Sequence, residues 1–556
     1  MLNCRRYALI GLGLILLAQT LLMGYFGYRK VGFHLDEIYT FELANFPQFT
    51  LAHSKNFVDR WHKPEVFQSA VTVRPQQRFN YSIPYHNQAR DSHPPLYYWI
   101  IHTVSSLFPG KFSKWMGIVP NMLFNLITTT LLFFVAKRLI RVPMIALLVA
   151  AMWGLSIGAM SSAVFIRMYA QLTMFCVALL WAHLSVAEKM VQKELKYLNI
   201  STLALVFMSS LGGILTQYYF LIFNALLSSC FSLWMAGHRK WRVLLQYLGV
   251  ELSALGSAVL IFPAMMVSIL KSSRGQQAFA DFAGLNLAGG GKHAWLMLNI
   301  INQQLTNGWL LTWLVVIVLS GIGWCLFDLF RGSGLKLSHK KAVGTVQETG
   351  DSTAGDIFTA GRFIRLALAV TVVGYFLLVV AVAPYQTDRY YFSIYPFIGL
   401  LLIWLTYDLT GHYCQQGWAR IGILSLIVIP MVVLSYQRQS VNYLYKKHAE
   451  RRALLQPYHN YPVVIINYTF HSLPEGFLME YVDHPLTFYG RLRSLSGLRK
   501  AVDEQDITGG FLVYVFACSW SDAVNLHDEL SPYLGIKRCE LIVKDCCNEV
   551  YFCTMK

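Results

Sequence analysis

Five short stretches hold the side chains best suited to chemistry. They are Asp36 and Glu37 in FHLDEIYTFELA, Asp91 and His93 in DSHPPLYYWIIH, Arg167 and Tyr169 in FIRMYAQLTMF, Gln217 to Tyr219 in TQYYFLIF, and Asp388 to Tyr390 in DRYYFSIYPFIGLLL. A carboxylate can take a proton from a hydroxyl, and a guanidinium can offset charge that grows on a departing phosphate. A phosphate whose second pKa is about 6 leaves without needing a proton, so one base and one cation suffice. Each stretch also has a plainer reading. Asp36 and Glu37 fit the first turn of a surface helix, and His93-Pro94-Pro95 fits a stiff helix entry. Arg167 fits an interfacial anchor whose head reaches lipid phosphates. Arg389, beside Tyr385, Tyr390 and Tyr391, fits an aromatic belt.

The choice depends on where the chain puts these residues. Of 556 residues, 55% are hydrophobic and 13% charged, and the mean hydropathy is +0.44. That composition describes a multi-pass membrane protein and excludes disorder, collagen and coiled coil. Lys and Arg total 46 against 29 Asp and Glu, a net +17. In a membrane chain this excess holds loops on the cytoplasmic side, and no nucleic-acid partner is expected. The ten Cys show no CxxC pair or finger spacing, which leaves a zinc module unsupported.

Apolar stretches of membrane-spanning length begin near Tyr7, Met116, Val142, Met168, Tyr197, Tyr219, Val243, Trp309, Leu366, Phe392 and Ile421, about eleven in all. The first follows Arg5 and Arg6 and lacks a small-x-small cleavage site, so it reads as an uncleaved helix with a cytoplasmic N-terminus. An exoplasmic loop, 28–94, follows with short helices of its own. Pro95 to Phe108 is too short to cross and reads as an interfacial helix. The basic clusters at Lys137/Arg138/Arg141, Lys189/Lys193/Lys196, His238 to Arg242, Arg331 to Lys341 and Arg362/Arg365 then lie inside, with 331–361 a flexible cytoplasmic loop. Glu251, within a span, should be paired or snorkelling. Residues 1–436 form the membrane domain. Residues 437–556, with β-rich runs at Val463 to Asn467, Phe511 to Phe516 and Glu540 to Val543, form a small exoplasmic α/β domain. Its Cys518, Cys539, Cys546, Cys547 and Cys553 include candidates for disulfides in an oxidising compartment. All five reactive stretches then fall at the exoplasmic boundary. That depth suits a substrate with its tail in hydrocarbon and its phosphate at headgroup level.

The order and shared side of these motifs resemble the bacterial membrane glycosyltransferases of family 39, GT-C enzymes related to protein O-mannosyltransferases and lipid A aminoarabinose transferases. The resemblance is strongest over the first 225 or so residues and ends near residue 402. It implies an all-α polytopic GT-C domain with the small α/β domain appended, in the cell (inner or plasma) membrane. It also implies inverting transfer of a sugar from a polyprenyl-phosphate donor to a hydroxyl or phosphate of a lipid, glycan or protein acceptor on the exoplasmic face. Asp36 would be the general base and Glu37 its positioning neighbour. Arg167, Arg389 and His93 would bind the donor phosphate, and Tyr169, Asp91, Tyr218 and Tyr390 would line the substrate site. Besides donor, acceptor and membrane lipids no partner is implied. No cofactor is required, and no metal is predicted because the spacing of Asp36, Glu37, Asp91 and His93 sets no coordination geometry. The terminal domain would help choose the acceptor. The main alternative is a transporter or flippase of a lipid-linked glycan, which would favour paired half-repeats and binding groups near the midplane. A ligand sensor would leave Asp36 and Arg167 dispensable.

Overall fold

The computed structural model describes residues 2–54, 57–191, 197–271, 276–277, 280, 287–334, 352–467, 473–491, 505, 507, 509–516, 536–545 and 548–555. Among them, eight helices are long and apolar enough to cross a membrane, and two bent pairs bring the total to as many as ten. The architecture is the expected one, a polytopic helical domain followed by a small sheet domain. Every apolar stretch is helical, but three depart from a simple span. That beginning near Tyr197 becomes the 15-residue helix Ile200–Ile214, about 22 Å at 1.5 Å per residue and short of a bilayer core. That beginning near Val142 breaks into Pro143–Gly154 and Ile157–Val164, bent by 50°. Ser156 causes the restart: its hydroxyl oxygen accepts from the Ala159 N–H at 3.1 Å and caps the second helix. The third, Leu310–Gly334, follows Leu287–Thr306 through an 89° bend. Asn302 pins that corner: its carbonyl accepts from Gly308 at 2.9 Å and its side-chain oxygen from Leu310 at 2.7 Å. Gly308 sits at φ +90°, where a side chain would be strained.

The expected loop is partly helix. The segment 331–361 is not all loop: helix Leu310–Gly334 runs into it and helix Ser352–Val382 begins within it. Residues 335–351, with Lys341 and most of the basic cluster, lie outside the described residues, as do Lys193, Lys196, Cys518, Cys546 and Cys547.

The loop 28–94 carries helices Leu35–Asn45, Pro64–Val71 and Ser82–Arg90. Helix Leu96–Leu107 buries Tyr97, Tyr98, Ile101 and His102, with Nδ1 of His102 2.9 Å from Ala44 O on the first loop helix. The loop also contributes a strand. β1 (Arg60–His62) joins β2 (Val463–Asn467), β3 (Thr487–Arg491), β4 (Phe511–Phe516), β5 (Ile536–Lys544) and β6 (Asn548–Met555) in one sheet of order β1-β3-β2-β4-β6-β5. β2 runs parallel to both β3 and β4, and the remaining pairs are antiparallel. β4 is buried along its whole length, as expected of an apolar run covered on both faces. Cys539 and Cys553 face each other across β5 and β6 and form a disulfide. Glu475 ties the terminal domain back to the loop, its Oε1 accepting from the Ala52 N–H at 2.6 Å. Glu251 is paired, accepting from Asn224 Nδ2 at 2.9 Å.

Candidate active site

The helix Leu35–Asn45 presents the acidic pair at its N-terminus. His34 is the cap: its Nδ1 accepts from the Asp36 N–H at 3.1 Å, and Glu37 Oε2 accepts from the His34 N–H at 2.7 Å. This reciprocal bonding satisfies donors that a helix start leaves orphaned. It also turns the two carboxylates in different directions.

Glu37 points inward. Its Oε2 lies 2.9 Å from Lys30 Nζ, and its Oε1 accepts from the Ile166 N–H at 2.8 Å. Lys30, equally buried, also donates to Tyr443 O at 2.6 Å. Burial raises the Glu37 carboxyl and lowers the Lys30 ammonium, and the charge of each opposes the shift of the other. Glu37 therefore fastens the loop helix to the turn at Ile166 and, through Lys30, to the segment after the last span.

Asp36 points instead toward Arg389. Its Oδ2 meets Arg389 Nη1 at 2.5 Å, and its side chain keeps 26% exposure. Burial would raise this carboxyl, but Arg167 and then Arg389 outweigh it and hold Asp36 well below the usual carboxylate range. His34 is pushed down to about 4, burial prevailing over the attraction of Asp36, so it is neutral near pH 7. Arg167 Nη1 donates to Asp36 O at 3.2 Å, Thr40 Oγ1 at 3.2 Å and Tyr98 Oη at 3.0 Å. Its Nη2 faces His93 Nε2 at 3.3 Å, while His93 Nδ1 meets Asp91 Oδ2 at 2.8 Å. A guanidinium only donates, so these bonds assign the His93 proton to Nδ1. Both Arg167 and Arg389 keep a buried Nε–H with no hydrogen-bond partner among the described residues.

The turn that carries Arg167 is held from below. Asn121 Nδ2 donates to Phe165 O at 2.6 Å, and Gly117 lets the helix Trp115–Ile140 pass directly beneath. A Cβ at Gly117 would lie 2.1 Å from Ile166 Cγ2.

The aromatic residues wall the site. Tyr390 meets Tyr169 at 5.9 Å and Tyr219 at 5.1 Å between ring centroids, and Arg389 lies over Tyr390 at 5.4 Å. Phe165 stacks on Tyr443 at 4.0 Å. Ser268 Oγ donates to Asp91 O at 3.3 Å, and the Tyr218 hydroxyl lies near both Ser268 and Asp91, buried with no hydrogen-bond partner among the described residues.

Thus Asp36, Arg389, Arg167, His93 and Asp91 form one connected chain, Tyr169, Tyr390 and Tyr218 border it, and Glu37 supports it from behind. No group of three His, Cys, Asp or Glu is placed to hold a metal ion among the described residues. Sequence reasoning missed Lys30, His34, Tyr98 and Tyr443. His34 was legible, three residues before Glu37 at a helix start. Tyr443 carried no signal, lying 413 residues from the Lys30 it binds.

Residues 92–266 match the family described as dolichyl-phosphate-mannose-protein mannosyltransferase. The match takes in His93, Arg167 and Tyr218, and leaves out Asp36 and Arg389. The resemblance to family 39 glycosyltransferases thus rests on a family match as well as on single motifs, over a narrower stretch than the motifs suggested. No curated protein matches. Among solved structures, the chain is similar to ArnT from Cupriavidus metallidurans bound to undecaprenyl phosphate. That similarity has a TM-score of 0.47 and 13% identity, and covers 97% of each chain. The apo ArnT gives 0.48, 12% and 98% of each chain. AglB from Archaeoglobus fulgidus, an archaeal oligosaccharyltransferase in complex with an inhibitory peptide and a dolichol-phosphate, gives 0.43 and 11%, covering 92% of this chain and 69% of that one.

Proposed function

We propose that this chain, with its mannosyltransferase family match over 92–266, is an inverting glycosyltransferase. It takes a sugar from a polyprenyl-phosphate donor and passes it to an acceptor hydroxyl on the exoplasmic face. The observation that carries the reading is the ionised Asp36 carboxylate, salt-bridged to Arg389 and flanked by Arg167 at one end of the helical bundle. The donor phosphate competes with the Asp36 carboxylate for Arg389, and Arg167 and Arg389 can each add an unused Nε–H to the phosphate. As Arg389 turns to the phosphate, Asp36 loses its salt-bridge partner and becomes a stronger base.

The acceptor oxygen attacks the anomeric carbon while the bond from that carbon to the phosphate oxygen breaks. The acceptor proton passes to Asp36, and the electron pair leaves with the polyprenyl phosphate, whose charge Arg167 and Arg389 offset. His93 holds Arg167 from the side, and Asp91 keeps the His93 tautomer fixed. Glu37 does no chemistry in this scheme and positions the helix. The ArnT and AglB structures carry undecaprenyl phosphate and dolichol-phosphate respectively, which suggests carriers to try. The test is incubation of purified protein with a panel of polyprenyl-phosphate sugars and an acceptor extract, with products identified by mass. The expected result is an acceptor heavier by one sugar together with free polyprenyl phosphate; no turnover of any donor overturns the reading.

A further inference from the structure

A cleft of about 300 Å³ opens beside Asp388, between the last turn of helix Leu287–Thr306, the turn Gln386–Asp388 and the segment after the last span, 439–442. We propose that it is a saccharide subsite that takes an uncharged, polyhydroxylated sugar ring; the proposal rests on the glycosyltransferase reading above. Gln303, Gln304, Gln386, Thr387 and Asn442 line it together with Asp388. Amides and hydroxyls both donate and accept, which matches the alternating needs of sugar hydroxyls. The lining contains one carboxylate and no Lys or Arg, so it disfavours a phosphate or a uronate and accepts a neutral ring. Ile300, also in the lining, offers apolar surface to a ring's C–H face.

The polar groups are set in advance. Asp388 Oδ2 accepts from Gln304 Nε2 at 2.7 Å and Asn442 Nδ2 at 2.8 Å, and Oδ1 accepts from the Tyr443 hydroxyl. Gln304 Oε1 in turn accepts from Tyr395 Oη at 3.0 Å. Fixed amides recognise hydroxyls with little ordering left to do. Gln303 and Ser440, by contrast, are exposed and able to close on a ring. The volume sits at the lower end of the range of ligand sites, about 300 to 1,000 Å³, as one ring requires. The cleft also adjoins the reacting groups. Asp388 directly precedes the Arg389 that binds Asp36, and Tyr443 joins the two regions, its hydroxyl on Asp388 and its ring on Phe165.

The ring belongs either to the donor or to the acceptor, and kinetics separates them. The full-length protein in detergent would be probed by saturation-transfer NMR with mannose, glucose, N-acetylglucosamine and glucuronate. At least one neutral sugar should bind wild type and Asp36→Asn alike, and at least tenfold more weakly to Ser440→Trp, which fills the cleft. Gln303→Ala should weaken the same sugar less. Glucuronate should not bind. Binding that Ser440→Trp leaves unchanged, no neutral sugar bound at all, or glucuronate bound as well as the neutral sugars would each overturn the proposal. In transfer assays Ser440→Trp should raise one KM at least tenfold with kcat nearly unchanged: the donor's if the ring is the donor's, the acceptor's if it is the acceptor's. Neither rising overturns the proposal. Absence of transfer by wild type refutes the glycosyltransferase reading separately, whatever the binding shows.

Discussion

Asp36 and Glu37 are sequence neighbours with opposite environments, one partly exposed and paired with Arg389, the other fully buried against Lys30. Removing one partner of a buried pair leaves the other uncompensated, at a cost of about 3 kcal/mol or more. Glu37→Gln should therefore lower the thermal midpoint in detergent markedly, and Lys30→Met combined with Glu37→Gln should recover part of the loss; a midpoint unchanged by Glu37→Gln would contradict the fastening role. The acidic motif was legible as a candidate because two carboxylates follow a span within a few residues. Which of the two stays exposed was not legible, because that is decided by the His34 cap and by the amide of Ile166, far away in the chain.

At the scale of elements, Arg167 depends on a turn clamped between Glu37 above and the helix Trp115–Ile140 below. Gly117→Val should push Ile166 aside and displace the guanidinium. A displacement of 1 Å can cost about 100-fold in rate, so kcat should fall by about that factor while the protein still inserts in the membrane. Adding Ile166→Ala should restore much of it. A Gly117→Val enzyme at full rate would show that the turn tolerates movement. Apolar length made the spans readable. The bend at Ser156 was not, since one capping hydroxyl inside an apolar run barely changes its hydropathy, and neither was the bend at Gly308, which is tied from the preceding helix by Asn302. Nor was the helical extent of 352–361 legible, because its small and polar residues also suit a loop.

At the scale of the molecule, the terminal domain is not a separate appendage, since β1 from the first loop pairs with β3, setting Trp61 opposite Phe488. Alternating β-rich runs made this domain legible, but a three-residue edge strand more than 400 positions from its partner leaves no periodicity to read. The shared sheet puts the loop, the site and the terminal domain at one end of the bundle. Helix Tyr219–Gly237 leads from the site to His238 at the other end. On a background lacking the free cysteines, Asn80→Cys should react with an impermeant maleimide from outside intact cells and His238→Cys only after lysis; labelling of both from one side would break this arrangement. The central claim is that a carboxylate at the lipid surface takes the acceptor proton beside two phosphate-binding guanidiniums. Its most direct test is the rate of sugar transfer by Asp36→Asn with the polyprenyl-phosphate donor. Loss of a general base predicts a fall of about 100-fold or more, with the protein still folded and inserted in the membrane and donor affinity no weaker than wild type, whereas turnover within twofold of wild type would contradict it.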